Sequence, residues 1–249
     1  MSKIILYVFE GQKPEQKIFD SLKKYFLDEN GHSSLCATFN ADIYLLYQKL
    51  QCDDFSIDLI EELRPKNQNI LAGIERKNIA EIYLFFDYDG HAANKDKTLR
   101  ADDSHLKEML SYFNNETENG KLYLSYPMVE AIKHLKNGVN FQDTVVPAKT
   151  NIGYKNLVSQ NCDHCYNQIE KLIFDNWKII IKEHCRKLNF IINDSFSFPD
   201  KIFEQLEIFE AQLEKYINLN GEVAVLSAFP ILLLDYYGVQ KLSFTLNKS

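Results

Sequence analysis

The chain has 249 residues, 45% of them hydrophobic, with 28 Lys and Arg against 35 Asp and Glu and a formal net charge of −7. That length supports one large domain, or one domain with a smaller appendage, and the acidic balance argues against a broadly basic nucleic-acid coat. The five cysteines form an odd, sparse set, which speaks against a disulfide framework and for a reducing cytoplasm.

Residues 4–9 (IILYVF) read as a buried strand; the run is too short for a signal peptide and meets Glu10. Gly11 follows, then a helix over about 14–27, where Pro14 suits the first turn because its missing N–H would be unbonded there. Residues 35–39 suggest a second strand and 41–78 loosely helical, polar segments. Residues 81–86 form the next strand, 102–113 a helix, 121–125 a strand and 128–135 a helix. Strands apolar on both faces and alternating with helices indicate a mostly parallel sheet with helices on both sides. Such sheets place their sites outside the carboxyl ends of the strands.

From about residue 153 the pattern turns helical. Ile173, Trp177, Ile180, Ile181 and Leu188 share one helix face, and Lys171, Lys178, Lys182 and Arg186 share the opposite one. Residues 194–199 break that helix, a second runs over about 199–217, and 222–237 form a last, mostly buried one. Even its "FPILLL" run is far below the ~20 apolar residues of a membrane span. The expected fold class is therefore α/β over residues 1–150, followed by a helical region, 151–249, for packing, oligomerisation or partner docking.

The chemistry concentrates where strands end. In "EIYLFFDYDG" a buried strand runs into Asp87 and Asp89, whose i, i+2 spacing lets both carboxylates point to one side. Clustered carboxylates repel unless a cation sits between them, and hard oxygen ligands suit Mg²⁺. The plainer alternative is a polar strand end capped by a turn, with Gly90 supplying a positive φ. In "YVFEGQKPEQKIF" Glu10 and Gly11 likewise end a buried strand just before a helix.

Together, strand–Glu–Gly–helix and a later strand–Asp–x–Asp–Gly resemble the TOPRIM domain of topoisomerases, primases and OLD-family nucleases. "EGQKPEQKIF", with Glu15 after Glu10, is similar to the opening of small RloB-like and OLD-type TOPRIM proteins of phage defence. "SYPMVEAI" resembles a later feature of that family, a strand leading into a helix with an acidic residue, here Glu130. The resemblance covers residues 1–140. It implies Mg²⁺ (or Mn²⁺) held by Glu10, Asp87 and Asp89, with Glu15 and Glu130 as candidates for a second metal. It further implies a nuclease acting on DNA or RNA, under an ABC-type ATPase partner, with room for a homodimer.

One departure stands out: no Lys or Arg occupies an obvious motif position beside Asp87 and Asp89. Lys95, Lys97, Arg100 or His91 are the candidates that follow. A different functional class also stays open, a non-catalytic Mg²⁺-binding module that docks a partner. "FDYDG" resembles the DxDG of HAD phosphatases too, but it comes late in the chain and continues with His91. "CDHC" (Cys162, Cys165) with His184 and Cys185 has a zinc-like composition. Adjacent residues of a helix diverge by about 100°, so joint ligation by His184 and Cys185 is not expected.

Overall fold

The structure, a computed structural model, describes residues 3–27, 32–92 and 101–247. Strands that are apolar on both faces cannot sit at a sheet edge, so β1 (Lys3–Phe9) and β3 (Ile79–Asp87) take the centre. β2 (His32–Thr38) lies outside β1; β5 (Gly120–Ser125) and the short β4 (Asn114–Asn115) lie beyond β3, in the order β2-β1-β3-β5-β4. The first four of these strands run parallel and β4 is antiparallel to β5. The connections carry α1 (Pro14–Phe26), α2 (Ile43–Cys52), α3 (Leu59–Leu63), α4 (Gln68–Leu71) and α5 (Asp103–Tyr112).

After β5 come β6 (Val145–Pro147), α6 (Tyr154–Asn161), α7 (Phe174–Asn193), α8 (Gln205–Gln212), α9 (Asn218–Asn220), β7 (Glu222–Ala224), α10 (Ala228–Tyr237) and α11 (Val239–Asn247). The fold is thus α/β, a mostly parallel sheet flanked by helices with a helical C-terminal region.

That region packs directly on the sheet. Phe229 of α10 is fully buried and stacks on Phe85 with ring centroids 4.7 Å apart; Phe19 of α1 covers Phe9 on the same face. On the other face Phe39 packs against Phe86. At the amino edge of β5, Lys121 pairs with Asp235 of α10 at 2.8 Å, and the Tyr123 hydroxyl donates to the same carboxylate.

Several sequence expectations are corrected. Residues 128–135 are not an α-helix but a 3-10 turn, Val129–Lys133. Four of its five residues, Val129 to Ile132, are buried, so tertiary packing rather than an amphipathic period shapes it. Residues 222–237 hold two elements: Glu222–Ala224 pair antiparallel with β6, and the helix starts only at Ala228. Gly221, at φ 69, ends α9 and turns the chain into that strand. The helix expected from 199 begins at Gln205 and continues through a π segment, Leu213–Ile217. α11 follows the helix read as last. Ile173 caps α7 and is 56% exposed, whereas Trp177, Ile180, Ile181 and Leu188 are buried.

Because α10 seals one face of the sheet, Phe229→Ala should cost about 3–5 kcal/mol, the usual range for emptying a buried aromatic site. Chemical denaturation of the full chain measures this, and a loss below about 1 kcal/mol would contradict the stacked packing.

Candidate metal centre

Parallel strands β1, β3 and β5 deliver their carboxyl ends to one edge. There the Glu10 N–H donates to the Phe85 carbonyl at 3.0 Å, extending the ladder by one residue. The Asp87 N–H donates in turn to Glu10 Oε2 at 2.9 Å. Two residues 77 positions apart are thereby tied by a charge-assisted bond. On β5, Ser125 pairs in register with Asp87.

Glu15, in the first turn of α1, folds back over the same edge. Its Oε1 accepts the Gly11 N–H at 3.0 Å, and a Cβ at Gly11 would lie 3.2 Å from that oxygen. The glycine leaves the space the carboxylate needs. Glu130 enters from the 3-10 turn after β5 and is 5% exposed. Asp89 departs from the expected turn: the positive φ, 44°, belongs to Asp89 and not to Gly90. A left-handed aspartate costs on the order of 1 kcal/mol, and such backbone outliers cluster at functional sites. Gly90 serves another need. A Cβ there would lie 2.7 Å from the Ala148 carbonyl and 2.6 Å from the Tyr88 ring.

The carboxylates feel one another. Burial pushes Glu10 up to about 8, the Asp87 amide bond opposes this, and Asp89, Glu15 and Asp42 raise it further. Burial also holds Asp87 well above the usual carboxylate range, with Glu10, Glu15, Asp89 and Glu130 adding to it. Asp89 is raised by burial, opposed by His91, and raised again by Asp42 and Glu130. Glu15 is raised by burial, lowered by its backbone bonds, raised by Glu130 and eased by Lys155. All five sequence-derived candidates, Glu10, Glu15, Asp87, Asp89 and Glu130, therefore share one electrostatic neighbourhood.

Do these residues suit a metal? Glu15 Oε2, Asp89 Oδ1 and Glu130 Oε2 are buried without a hydrogen-bond partner. His91 Nδ1 comes within 3.3 Å of Asp89 Oδ1, outside hydrogen-bonding geometry. A buried polar group left unmatched costs roughly 1–3 kcal/mol, more when charged, so each oxygen calls for a cation or a proton. Among the described residues no group of three or more His, Cys, Asp or Glu side chains is placed to hold a metal ion by itself. Mg²⁺ needs less, since it keeps several waters and takes one or two protein carboxylates. The all-oxygen donor set fits Mg²⁺ or Mn²⁺.

Three neighbours escaped the sequence reading. Asp42 acts on both Glu10 and Asp89 while its side chain caps α2 by accepting the Leu45 N–H at 2.9 Å. An aspartate just before an apolar run was the available signal. Lys155 brings its Nζ to 4.0 Å from Glu130 Oε1, from beyond residue 150, and no local pattern marks it. Tyr154 next to it is buried, shares a 3.0 Å hydrogen bond with His134, and senses Glu130 and Asp87. Lys95, Lys97 and Arg100 lie outside the described residues.

Other motifs find local employment. Lys178 pairs with Asp175, Lys182 donates to Asn247, and Arg186 pairs with Glu183 and donates to the Phe196 carbonyl. Cys165 is exposed and Cys162 buried, while His184 and Cys185 are wholly buried in α7. No helix among the described residues is long and apolar enough to cross a membrane.

Without metal, Glu10, Glu15, Asp87 and Asp89 bind protons more tightly in the folded chain than in the unfolded one, where carboxylates titrate near ~4. The folded state then holds more protons, so their contribution to stability falls as pH rises toward about 8. The metal-free melting temperature should drop between about pH 5.5 and about pH 8, more steeply in the wild type than in Asp87→Asn. Mg²⁺ or Mn²⁺ should reverse the drop in the wild type alone. Equal pH slopes in the two proteins would show that the carboxylates are not coupled.

Comparison with protein-family models, curated proteins and solved structures found no match to this chain.

Proposed function

We propose that this chain is a divalent-metal-dependent nuclease of the TOPRIM type that its motifs resemble, hydrolysing phosphodiester bonds in DNA or RNA. One observation carries the reading: five carboxylates share one electrostatic neighbourhood at a single sheet edge, and three of their buried oxygens have no hydrogen-bond partner. A structural role alone would not require so many mutually repelling acids in one place.

Mg²⁺ or Mn²⁺, when bound, polarises a phosphoryl oxygen and lowers the pKa of an attacking water. Glu10 and Asp87 are the ligands fixed by the strand ladder, and Asp89 is the ligand offered by the turn. Glu15 and Glu130 stand ready for a second ion. With a single ion bound, Glu15 Oε2, buried and without a hydrogen-bond partner, is the acceptor for the proton of the attacking water. Lys155, whose side chain is 71% exposed, has the free stem to place its ammonium against the phosphoryl oxygens. It supplies the cation that the motif positions lack.

The setting that fits the resemblance is anti-phage defence, with an ABC-type ATPase partner docking on the helical half. In this role the partner controls the activity.

The test uses the purified full chain, alone and with any ATPase encoded beside it, on labelled DNA and RNA with Mg²⁺ or Mn²⁺. Cleavage should appear with metal and vanish in Asp87→Ala. Lys155→Met should slow it on the order of 100-fold while leaving metal-induced stabilisation intact. Metal binding by the wild type with no cleavage of either nucleic acid, with or without the partner, would favour the docking module instead.

A further inference from the structure

Residues 141–149 form a strap between the C-terminal half and the Asp89 turn. Lys187 of α7 is completely buried, and its ammonium donates to the carbonyls of Phe141, Gln142 and Thr144. An ammonium has three donors, and all three are spent on this one segment. The strap continues as β6, paired with β7, and the Ala148 N–H donates to the Gly221 carbonyl at 2.9 Å. β7 is itself clamped by Gln212, whose side-chain amide donates to the Ala224 carbonyl at 2.8 Å and accepts the Ala224 N–H at 2.9 Å. These anchors all come from beyond residue 180.

The far end of the strap grips the turn twice. The Ala148 carbonyl packs so close to Gly90 that no Cβ fits between them. Lys149 Nζ pairs with Asp103 Oδ2 at 2.6 Å, and Asp103 Oδ1 accepts the Tyr88 hydroxyl at 3.0 Å. Tyr88 and Gly90 are the two neighbours of Asp89. On the sheet side the Tyr88 N–H donates to the Ser125 carbonyl at 2.9 Å and the Tyr44 hydroxyl donates to the Tyr88 carbonyl at 3.0 Å; past Tyr88, the Asp89 N–H reaches the Pro127 carbonyl at 3.2 Å and the Ala92 N–H reaches the Asp89 carbonyl at 2.7 Å. A left-handed aspartate relaxes unless its surroundings hold it.

We propose that the strap, anchored by Lys187 and ending at Lys149, positions Asp89, so that the helical half sets the metal affinity of the carboxylate edge without donating a ligand. This rests on the reading of that edge as a metal site. Lys187 and Lys149 are positioning residues, acting through Asp103, Tyr88 and Gly90. A partner that shifted α7 would thereby tune the site from a distance.

The experiment titrates Mn²⁺ into the full chain by calorimetry, and follows hydrogen exchange at the Asp89 and Ala92 amides. Lys149→Met changes a half-exposed side chain and should fold like the wild type. We expect it to bind Mn²⁺ about tenfold more weakly, the usual cost of losing an outer-shell support, and to exchange faster at both amides. Lys149→Arg, which keeps a cation on Asp103, should restore both. Lys187→Met should show the same weakening along with lost stability. Leu242→Ala, in the buried face of α11 and away from the strap, should lose stability with its Mn²⁺ affinity intact. If Lys187→Met does not fold, Lys149→Met decides alone. Wild-type affinity and protection in Lys149→Met would overturn the inference, while loss of binding in Asp87→Ala would still uphold the metal site. A wild type that takes up no Mn²⁺, or an Asp87→Ala that binds equally well, would remove the metal reading and this inference with it.

Discussion

The burial of several carboxylates at one sheet edge is the constraint around which this fold is arranged. Like charges held near one another out of water repel more strongly than they would in it. A flexible surface would release that energy by letting the groups drift apart. Here they cannot drift. Glu10 is bound through its N–H to β3 and through its carboxylate to the Asp87 amide, while Glu15 is folded onto Gly11. Burial is the largest cause of the raised proton affinities of Glu10, Asp87, Asp89 and Glu15, and the neighbouring carboxylates add to it. Buried acids with oxygens that lack hydrogen-bond partners are satisfied either by protons or by a cation.

Holding such a site demands a stiff support, and the apolar strands provide it. β1 and β3 are buried on both faces, with aromatic contacts running from Phe19 through Phe9 and Phe85 to Phe229. α10 contributes at two places on the sheet: Phe229 lies over the centre, and Asp235 ties Lys121 and Tyr123 at the amino edge. The C-terminal region is therefore part of the platform that the carboxylates stand on. The isolated bridge between Tyr126 and Leu226 extends this directly beside the Glu130 turn.

How much of this could be read from the residues follows from where the information lies. The central strands were legible because continuous apolar runs ending in a charge admit few other placements. With both strands central and parallel, the meeting of Glu10 and Asp87 was a consequence. Residues 222–237 misled because an apolar run does not distinguish a buried strand from a buried helix, and the pairing of Glu222–Ala224 with β6 is a long-range fact. The 3-10 turn bearing Glu130 was read as a helix for a related reason, since burial on nearly all sides erases the period that marks one. Lys155, Lys149 and Lys187 carried no local signal at all. Their roles exist only once residues far apart in sequence have met.

The two aspartates of the DYDG stretch, so alike in sequence, are held by opposite means. Asp87 is the last residue of β3, fixed by its register with Ser125 and by its amide bond to Glu10. Asp89 stands two residues on, in a left-handed turn whose shape depends on what presses against it. The edge thus pairs one rigid carboxylate with one adjustable carboxylate. Among the described residues no group of three or more His, Cys, Asp or Glu side chains is placed to hold an ion by itself, so under the proposed metal reading the adjustable member has to settle against the fixed one. The sheet register fixes Asp87, while the close approach of Ala148 and Tyr88 to Gly90 shapes the turn that carries Asp89.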